Sequence, residues 1–173
     1  MSWETFLKNK NFIGFNQVET KITMRAVIQR VTTCSLSIEG QVYSNIGPGF
    51  LILLGIETAD TQDDISWLAA KLSALRIFND QQGVMNLKIN EISGEAMVVS
   101  QFTLHASTRK GNRPSYIKAA RPEIAEPLYR LFIQSLQEKI AKPVASGRFG
   151  AHMGIALVND GPVTIVIDTK NKE

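Results

Sequence analysis

The feature that most constrains the fold is residues 49–56, a run of apolar side chains interrupted only by glycine. This run is far shorter than the roughly 20 apolar residues that a membrane-spanning helix needs. A continuous apolar run of this length is typical of a strand that is buried on both faces. The chain is therefore expected to form a sheet that is covered on both sides.

The chain after Met24 also favours strands. The pattern of β-branched and apolar residues predicts strands at residues 25–33, 36–38, 41–43, 96–104, 154–158 and 163–168. Glu39 and Gly40 predict a two-residue hairpin. Residues 159–162, Asn-Asp-Gly-Pro, predict a turn that separates the last two strands.

Two segments have the apolar spacing of a helix with one buried face. The first is residues 61–76, where Thr61 and Asp64 resemble a capping pair. The second is residues 123–140, in which Pro127 indicates either a start near Glu126 or a kink. The residues predicted to face inward in this second helix are Ile124, Leu128, Leu131, Phe132 and Leu136. Because helices and strands do not alternate strictly, we expect an α+β fold with a curved antiparallel or mixed sheet covered by two helices.

Composition limits the classes of protein that remain. A chain of 173 residues suits one domain. With Cys34 as its one cysteine, it forms no intrachain disulfide, which fits a reducing compartment. Two histidines and one cysteine nearly exclude a structural zinc site of the usual type. The net charge of +3 is compatible with an anionic partner and does not by itself indicate one.

Residues 1–23 differ from the rest of the chain. They hold four aromatic residues, no arginine and no proline, and they lack the apolar stretch of a secretory signal. We expect an N-terminal extension that is loosely ordered, from a start codon upstream of Met24. The alternative is a short element that docks on the body or on a partner. Residues 24–173 then form the functional domain.

Residue patterns alone leave the chemistry open. The sequence has no phosphate-binding glycine loop and no nucleophile elbow. His105 and His152 are candidate bases, although a lone histidine is more often a surface or core residue. A basic stretch within residues 109–121 is either a solvated loop or a strip that contacts phosphates. Its cations are Arg109, Lys110, Arg113, Lys118 and Arg121.

Two short segments become informative when they are considered together. Residues 100–104 read Ser-Gln-Phe-Thr-Leu, and on their own they indicate the end of a strand. Residues 159–164 read Asn-Asp-Gly-Pro-Val-Thr, and on their own they indicate a hairpin turn. The Gly161–Pro162 bond can be cis at a small free-energy difference, about 0.5–1 kcal/mol, and a cis bond reverses the chain tightly.

With these two motifs, residues 24–168 closely resemble the D-aminoacyl-tRNA deacylases, also called D-tyrosyl-tRNA deacylases. Residues 100–104 match the SQFTL motif of that family, and residues 159–164 match its NxGPxT motif. The opening residues 24–31, together with residues 113–115 and 147–149, also look like the family. Two unrelated motifs in the right order are far more specific than either one alone.

The resemblance implies a compact, β-barrel-like α+β domain that works as a homodimer, with each active site at the dimer interface. It implies cytoplasmic hydrolysis of the ester that joins a D-amino acid to tRNA, and of glycyl-tRNA mischarged on tRNA(Ala). It also implies that neither a metal nor a cofactor is required and that no membrane is involved. The Gly161–Pro162 unit is then cis and reaches into the partner's pocket, where it leaves no space for an L side chain.

The resemblance also assigns roles to residues. The catalytic segment comprises Ser100, Gln101, Phe102 and Thr103. The substrate-binding residues are Gly161, Pro162, Arg30, Phe149, Met153, Asn159 and Thr164. Within this set Arg30 holds the Gly-Pro unit, Phe149 packs on the terminal adenine and Met153 forms a pocket wall. The basic residues from Arg109 to Arg121 contact the tRNA acceptor stem.

For the chemical step we favour activation of water by the 2′-hydroxyl of the terminal ribose, since no base is evident near Thr103 in the sequence. The alternative makes Thr103 a covalent nucleophile. Two rival functions remain at this point. One is a related deacylase with a trans Gly-Pro bond that edits L-alanine, and the other is a tRNA-binding protein that has lost catalysis.

Overall fold

The computed structural model describes residues 23–171 of the chain. Of the predicted N-terminal extension, only Thr23 lies within the described residues. In this range the chain forms eight strands, two α helices and two short 3₁₀ helices. The strands are β1 (Arg25–Ile38), β2 (Gln41–Ile46), β3 (Gly49–Gly55), β4 (Phe78–Asn79), β5 (Met85–Leu87), β6 (Glu95–Ser100), β7 (Val144–Ser146) and β8 (Met153–Asp168). The α helices are α1 (Gln62–Ala74) and α2 (Pro122–Gln137), and the 3₁₀ helices are Ile89–Ile92 and Phe102–His105.

Six strands form one mixed sheet, in the order β2-β1-β3-β6-β7, and β8 pairs with the other side of β1. β3 runs antiparallel to β1 and parallel to β6. The Ser44 hydroxyl donates a hydrogen bond of 3.2 Å to the Ser146 carbonyl, which joins β2 to β7. The sheet is thus a nearly closed barrel, and together with the two helices it confirms the α+β class. No helix within residues 23–171 is long and apolar enough to cross a membrane.

β3 is buried on both faces, as its apolar sequence predicts. Phe50, Ile52 and Leu54 on one face pack in the cluster that includes the inner sides of α1 and α2. Leu51 on the opposite face packs with Met97 inside the barrel. Each large apolar side chain buried in this way contributes roughly 1.5–3 kcal/mol to stability. The carboxyl end of β3 is therefore held firmly in place by the core.

Local signals placed the first hairpin and the first helix correctly. Glu39 and Gly40 have φ angles of 55° and 77°, and two positive values in succession define the tight turn that joins β1 to β2. At the start of α1, the Asp64 carboxylate accepts hydrogen bonds of 2.9 Å from both the backbone amide and the hydroxyl of Thr61. The capping pair is confirmed.

The second helix begins within one residue of the predicted start at residue 123, but its end and part of its inner face differ from the prediction. It begins at Pro122 and not near Glu126, because proline suits the first helical position, where its missing N–H has no partner to lose, and it ends at Gln137 rather than at residue 140. Pro127 lies inside the helix, on its exposed side. Ile124 is also exposed, and Ala125 and Tyr129 face the core instead.

Two strand predictions were wrong in detail. The predicted strand at residues 96–104 ends at Ser100, and the chain then turns into the 3₁₀ helix Phe102–His105. The predicted turn at residues 159–162 does not separate two strands. β8 runs through it as one strand, and both halves pair with β1, with irregular register around Val31. Residues 159–164 form a bulge, and we use that name for them below.

Candidate active site

A pocket of about 580 Å³ opens where β3 and β6 end. Because these two strands are parallel, Leu54 pairs with Ser100 at the same edge of the sheet. Apolar side chains of both strands form the floor of the pocket, and Tyr116, residues 119–122 and residues 149–153 form its walls. The pocket brings together Ser100, Gln101, Phe102, Phe149, Met153 and Arg121 from the sequence-predicted set.

Residues 100–105, which we call the corner, form one side of this pocket. The Gln101 backbone amide donates a hydrogen bond of 2.7 Å to the Leu54 carbonyl, so it is not free to bind a substrate oxygen. The next two amides, of Phe102 and Thr103, lie in the first turn of the 3₁₀ helix, where N–H groups have no intrahelical acceptor. The corner can therefore offer backbone donors from Phe102 and Thr103.

Phe102 and Thr103 are held differently. The Phe102 ring is 57% exposed and packs edge-to-face against Tyr116, with ring centroids 5.0 Å apart. The Thr103 hydroxyl accepts a hydrogen bond from the side-chain amide of Gln101. Because an amide nitrogen is not a base, this contact orients the hydroxyl of Thr103 without activating it as a nucleophile.

Tyr129 supports the part of the pocket wall that Phe149 forms. Its hydroxyl donates a hydrogen bond of 2.8 Å to the Val98 carbonyl, and burial raises the pKa of Tyr129 to about 12, which keeps it a neutral donor. The Phe149 ring packs on it with centroids 5.7 Å apart. Nearby, a Cβ at Gly147 would overlap the sulfur of Met153, so glycine there makes room for the Met153 side chain.

The bulge lies outside the pocket, in the part of β8 that pairs with β1 near Val31. Its Gly161–Pro162 peptide bond is cis, and both residues are exposed. The side-chain amide of Asn159 donates hydrogen bonds of 2.9 and 3.1 Å to the carbonyls of Arg30 and Val163. The Thr164 hydroxyl donates to the Asn159 side-chain oxygen at 3.3 Å. The polar groups of Asn159 and Thr164 are thus engaged within the bulge.

Arg30 fixes the bulge from beneath. It is 5% exposed, and one guanidinium nitrogen donates to the Ile77 carbonyl at 2.6 Å. Its Nε lies 2.8 Å from a carboxylate oxygen of Asp160. A Cβ at Gly161 would lie 3.0 Å from another of its nitrogens. Arg30 therefore packs directly under the Gly-Pro unit, which is the place that the resemblance implies for it.

Within one chain, the bulge lies well away from the corner, although Ile155 of the same strand lines the pocket. Ala26 of β1 pairs with Leu54 at the pocket, whereas Val31 of β1 pairs with Asn159 at the bulge. Positions 26 and 31 are about 17 Å apart along an extended strand, at roughly 3.4 Å per residue. The pocket therefore does not include Gly161 or Pro162 of the same chain.

The five predicted tRNA-contacting cations are all exposed. Hydrogen bonds of 2.8 and 2.9 Å between the backbones of Ser107 and Ser115 close a loop, which carries Arg109, Lys110 and Arg113. Lys118 and Arg121 follow this loop in the chain, and Arg121 is part of the pocket wall. The basic side chains thus extend from the pocket rim to the end of an exposed loop.

Sequence reasoning missed Tyr129, which supports the pocket wall at Phe149, and it left open the roles of the two histidines. Tyr129 lies three residues before Phe132 and seven before Leu136, so the helical spacing could have identified it as inward-facing. His105 is 1% exposed and faces Glu57 rather than Thr103, whereas His152 lies at the pocket. Within residues 23–171, no group of three or more His, Cys, Asp or Glu side chains is arranged to hold a metal ion.

Comparison with known proteins identifies the class and then the family. The sequence model described as D-Tyr-tRNA(Tyr) deacylase matches residues 27–168. A protein of Porphyromonas gingivalis named D-aminoacyl-tRNA deacylase is 65% identical over 150 residues, which are 87% of this chain and all of that one. One of the same name from Parabacteroides distasonis is 59% identical over 150 residues, with the same coverage. A solved structure titled c-Myc DNA Unwinding Element Binding Protein is 38% identical with a TM-score of 0.78, and the match covers 83% of this chain and 97% of that one.

These matches define the protein as a hydrolase, an enzyme that deacylates D-aminoacyl-tRNA. The chain belongs to the D-Tyr-tRNA(Tyr) deacylase family. The recognition made from the SQFTL and NxGPxT motifs is therefore confirmed, and aminoacyl-tRNA is the substrate.

Proposed function

We propose that the pocket at the ends of β3 and β6 is the active site and that the enzyme is a homodimer in which each bulge enters the pocket of the partner. The observation that carries this proposal is the separation of the two motifs within one chain. The Gly161–Pro162 unit is exposed and rigidly held, yet it lies about 17 Å of strand away from the corner. A second copy would bring the two motifs together.

Chirality is then decided by exclusion. The backbone of the partner's Gly161–Pro162 unit holds the substrate amino group and leaves no space for a side chain of L configuration. Because this filter does not contact the D side chain, one enzyme serves many D-amino acids. It also accepts glycine, including glycyl-tRNA mischarged on tRNA(Ala), since glycine has no side chain to exclude. The contacts of Arg30 with Asp160 and Gly161, which we call the Arg30 clamp, support this role, because a steric filter works only if the backbone cannot move aside.

Catalysis rests on orientation and on stabilising the oxyanion. An aminoacyl ester is already activated, so placing the ester beside the Phe102 and Thr103 amides supplies the main requirement. The 2′-hydroxyl of the terminal ribose helps to activate the attacking water. Thr103 orients the amino group or the water through its hydroxyl, which Gln101 holds in place. Ser100 completes the catalytic segment at the strand end.

The remaining residues bind the tRNA end. Phe149 stacks on the terminal adenine, an interaction that needs no particular hydrogen-bond geometry. Met153 forms the adjoining pocket wall, and Asn159 and Thr164 hold the bulge that reaches the substrate. Arg109, Lys110, Arg113, Lys118 and Arg121 contact phosphates of the acceptor stem, which positions the tRNA without reading its sequence.

This proposal takes residues 24–173 as the deacylase domain and residues 1–23 as an extension to it. The match of the family model to residues 27–168 supports the division. The enzyme acts in the cytoplasm, where its substrate is made, and the free, buried Cys34 is compatible with a reducing environment.

The first experiment compares hydrolysis of D-tyrosyl-tRNA and L-tyrosyl-tRNA in parallel, with EDTA present. Loss of the D ester alone supports the chiral filter and a reaction without metal. If the L ester is cleaved as fast as the D ester, exclusion by the Gly-Pro unit is wrong. If neither ester is cleaved faster than in buffer while tRNA still binds, the protein has lost catalysis.

A subunit-mixing experiment tests the shared site. Phe149→Ala damages the pocket, and Gly161→Ala damages the bulge, where φ is 113° and a Cβ would lie 2.8 Å from Val163. Mixing the two inactive variants forms heterodimers in which one site has an intact pocket and an intact bulge. With two-fold symmetry and random exchange, about a quarter of the wild-type activity should return. A mixture no more active than its components would show that the site lies within one subunit.

A further inference from the structure

The corner has a buried contact between a histidine and a glutamate behind it that the proposed chemistry does not use. His105, the last residue of the 3₁₀ helix, is 1% exposed, and its Nδ1 lies 3.0 Å from Oε1 of Glu57. Glu57 is 3% exposed and follows β3 by two residues. Neither residue lines the pocket, so neither is a catalytic residue.

This pair joins three parts of the pocket wall. His105 belongs to the corner, and Glu57 extends the end of β3. The backbone of Glu57 also pairs with that of Ala119, and the Ala120 amide donates to the Ile56 carbonyl at 2.9 Å. Ala119 and Ala120 also line the pocket. The corner, the end of β3 and residues 119–120 thus meet at the side chain and backbone of Glu57.

The corner packs closely on β3 at Gly55, so the distance between the corner and the strand depends on how His105 is held. A Cβ at Gly55 would lie 2.9 Å from Nε2 of His105 and 3.1 Å from the Gln101 carbonyl, so glycine is required there. The ring of His105 therefore sits between Gly55 on one side and Glu57 on the other. Its two nitrogens face groups of β3 and the residues after it, and not the Thr103 hydroxyl.

We propose that His105 and Glu57 are a positioning pair that sets the distance between the corner and the wall at Ala119 and Ala120, and so places the Phe102 and Thr103 amides for the chemical step. This inference rests on the proposed active site. A displacement of about 1 Å at a reacting centre can lower a rate 100-fold. Loss of the pair therefore lowers the rate of hydrolysis on the enzyme more than it weakens binding of tRNA.

The test compares two substitutions of nearly equal size. His105→Asn keeps an N–H donor close to the position of Nδ1, whereas His105→Leu has none. Single-turnover hydrolysis of D-tyrosyl-tRNA is measured at saturating enzyme, together with the concentration of enzyme that gives half the maximal rate. We expect His105→Leu to lower the maximal rate at least tenfold and to change the half-saturating concentration less than threefold. His105→Asn should recover much of the rate.

Two controls keep the outcome decisive. Ile65→Val removes a methylene from the core of α1, where Ile65 is 0% exposed, and it reports the effect of lower stability alone. Glu57→Leu removes the acceptor and keeps the backbone contacts, and it decides the matter if His105→Leu does not fold. Equal rates for His105→Leu and Ile65→Val, or for folded Glu57→Leu and wild type, would overturn the positioning role.

Failure of the active-site proposal would look different. In that case Phe102→Ala and Phe149→Ala would hydrolyse D-tyrosyl-tRNA as fast as the wild type. If those two variants are impaired and His105→Leu is not, the active site stands and only the positioning pair is rejected. Equal losses in His105→Leu and His105→Asn would also reject it, since the donor to Glu57 would then be irrelevant.

Discussion

The corner and the bulge carry the two diagnostic motifs, and they keep their shapes by different means. Main-chain bonds hold the corner: the Gln101 amide donates to Leu54, and the Leu104 and Ala106 amides close the 3₁₀ turn. The bulge pairs with β1 only irregularly, and the side chains of Arg30 and Asn159 add contacts that hold it. A segment whose conformation is held by main-chain hydrogen bonds should tolerate surface substitutions. A segment that depends on side-chain contacts should lose its conformation when one of those residues is substituted.

The support of the corner includes a carboxyl group with a raised pKa. Beneath the corner, the Asp60 carboxylate accepts a hydrogen bond of 2.7 Å from the Glu57 amide, and burial raises the pKa of Asp60 to about 7. We therefore expect a change of pH near neutrality to act on the support of the corner.

The largest expected effect is on the pH dependence of stability. The pKa of Asp60 is raised from 3.8 to about 7, so the folded protein keeps a proton on Asp60 that the unfolded chain releases. The contribution of this proton to the free energy of unfolding is therefore lost as the pH rises from 3.8 to about 7. Asp60→Asn keeps an acceptor and cannot ionise. Urea unfolding should show both proteins alike near pH 4 and the variant more stable at pH 8, by up to about 4 kcal/mol.

Two other groups check the sign of this effect. Burial lowers the pKa of His105, so the contribution of the neutral imidazole to the free energy of unfolding is lost as the pH falls below 6.5. This loss should be equal in wild type and Asp60→Asn. The Val84 amide and further hydrogen bonds lower the pKa of Asp80, so Asp80→Asn should become less stable relative to wild type as pH rises. A difference between wild type and Asp60→Asn that is the same at pH 4 and pH 8 would contradict the prediction.

The next largest effect is expected from Arg30→Ala. The substitution leaves the buried Ile77 carbonyl without its charged donor and Asp160 without its partner, so the free energy of unfolding should fall by about 2–4 kcal/mol. Denaturant unfolding measures this. Arg130→Ala breaks the exposed pair with Glu126 and should change stability by less than about 1 kcal/mol. Similar losses in both variants would mean that Arg30 does not clamp the bulge.

A smaller effect is expected from Asn159→Ala. Its side-chain amide donates to the Arg30 and Val163 carbonyls, and losing both bonds should lower stability by about 1–2 kcal/mol. The melting temperature should then fall by roughly 2–8 °C for a domain of this size. Asn159→Asp should be worse, because a carboxylate cannot donate. The exposed Asn45 in β2 provides the control, since Asn45→Ala should leave the melting temperature unchanged.

The smallest effect on stability is expected in the corner itself. Phe102 is 57% exposed, so Phe102→Ala should change the free energy of unfolding by less than about 1 kcal/mol while D-tyrosyl-tRNA hydrolysis falls at least tenfold. Val42→Ala, at a position that is 69% exposed on β2, should alter neither quantity. A loss of stability in Phe102→Ala as large as that in Arg30→Ala would erase the distinction between the two regions.

The sequence predicted elements whose causes are local. The apolar run of β3, the Glu39-Gly40 hairpin and the Thr61–Asp64 cap each depend on neighbouring residues, and each was found as expected. The bulge was misread because Asn-Asp-Gly-Pro has the composition of a turn. What keeps β8 continuous there is pairing with β1 and the Arg30 clamp, and both come from residues far away in the sequence.

The candidate site was predictable only in part for a similar reason. Its motifs are short and specific, so the family could be recognised from residues 100–104 and 159–164. The distance between those motifs within one chain follows from strand register, which composition does not encode. The partnership of His105 with Glu57 depends on how the 3₁₀ helix folds back on β3, and a lone histidine in a sequence carries no sign of it.

The pairing of β1 with β8 has a consequence for how the protein is made. Arg25 pairs with Asp168, so the first described strand of the barrel is completed by the last. Contacts between such distant residues form late, because the intervening chain must first be ordered. During synthesis Arg30 leaves the ribosome long before Asp160, and its side chain has no carboxylate to contact until the residues of β8 have followed. The contacts that hold the bulge therefore form only after β8 has been made.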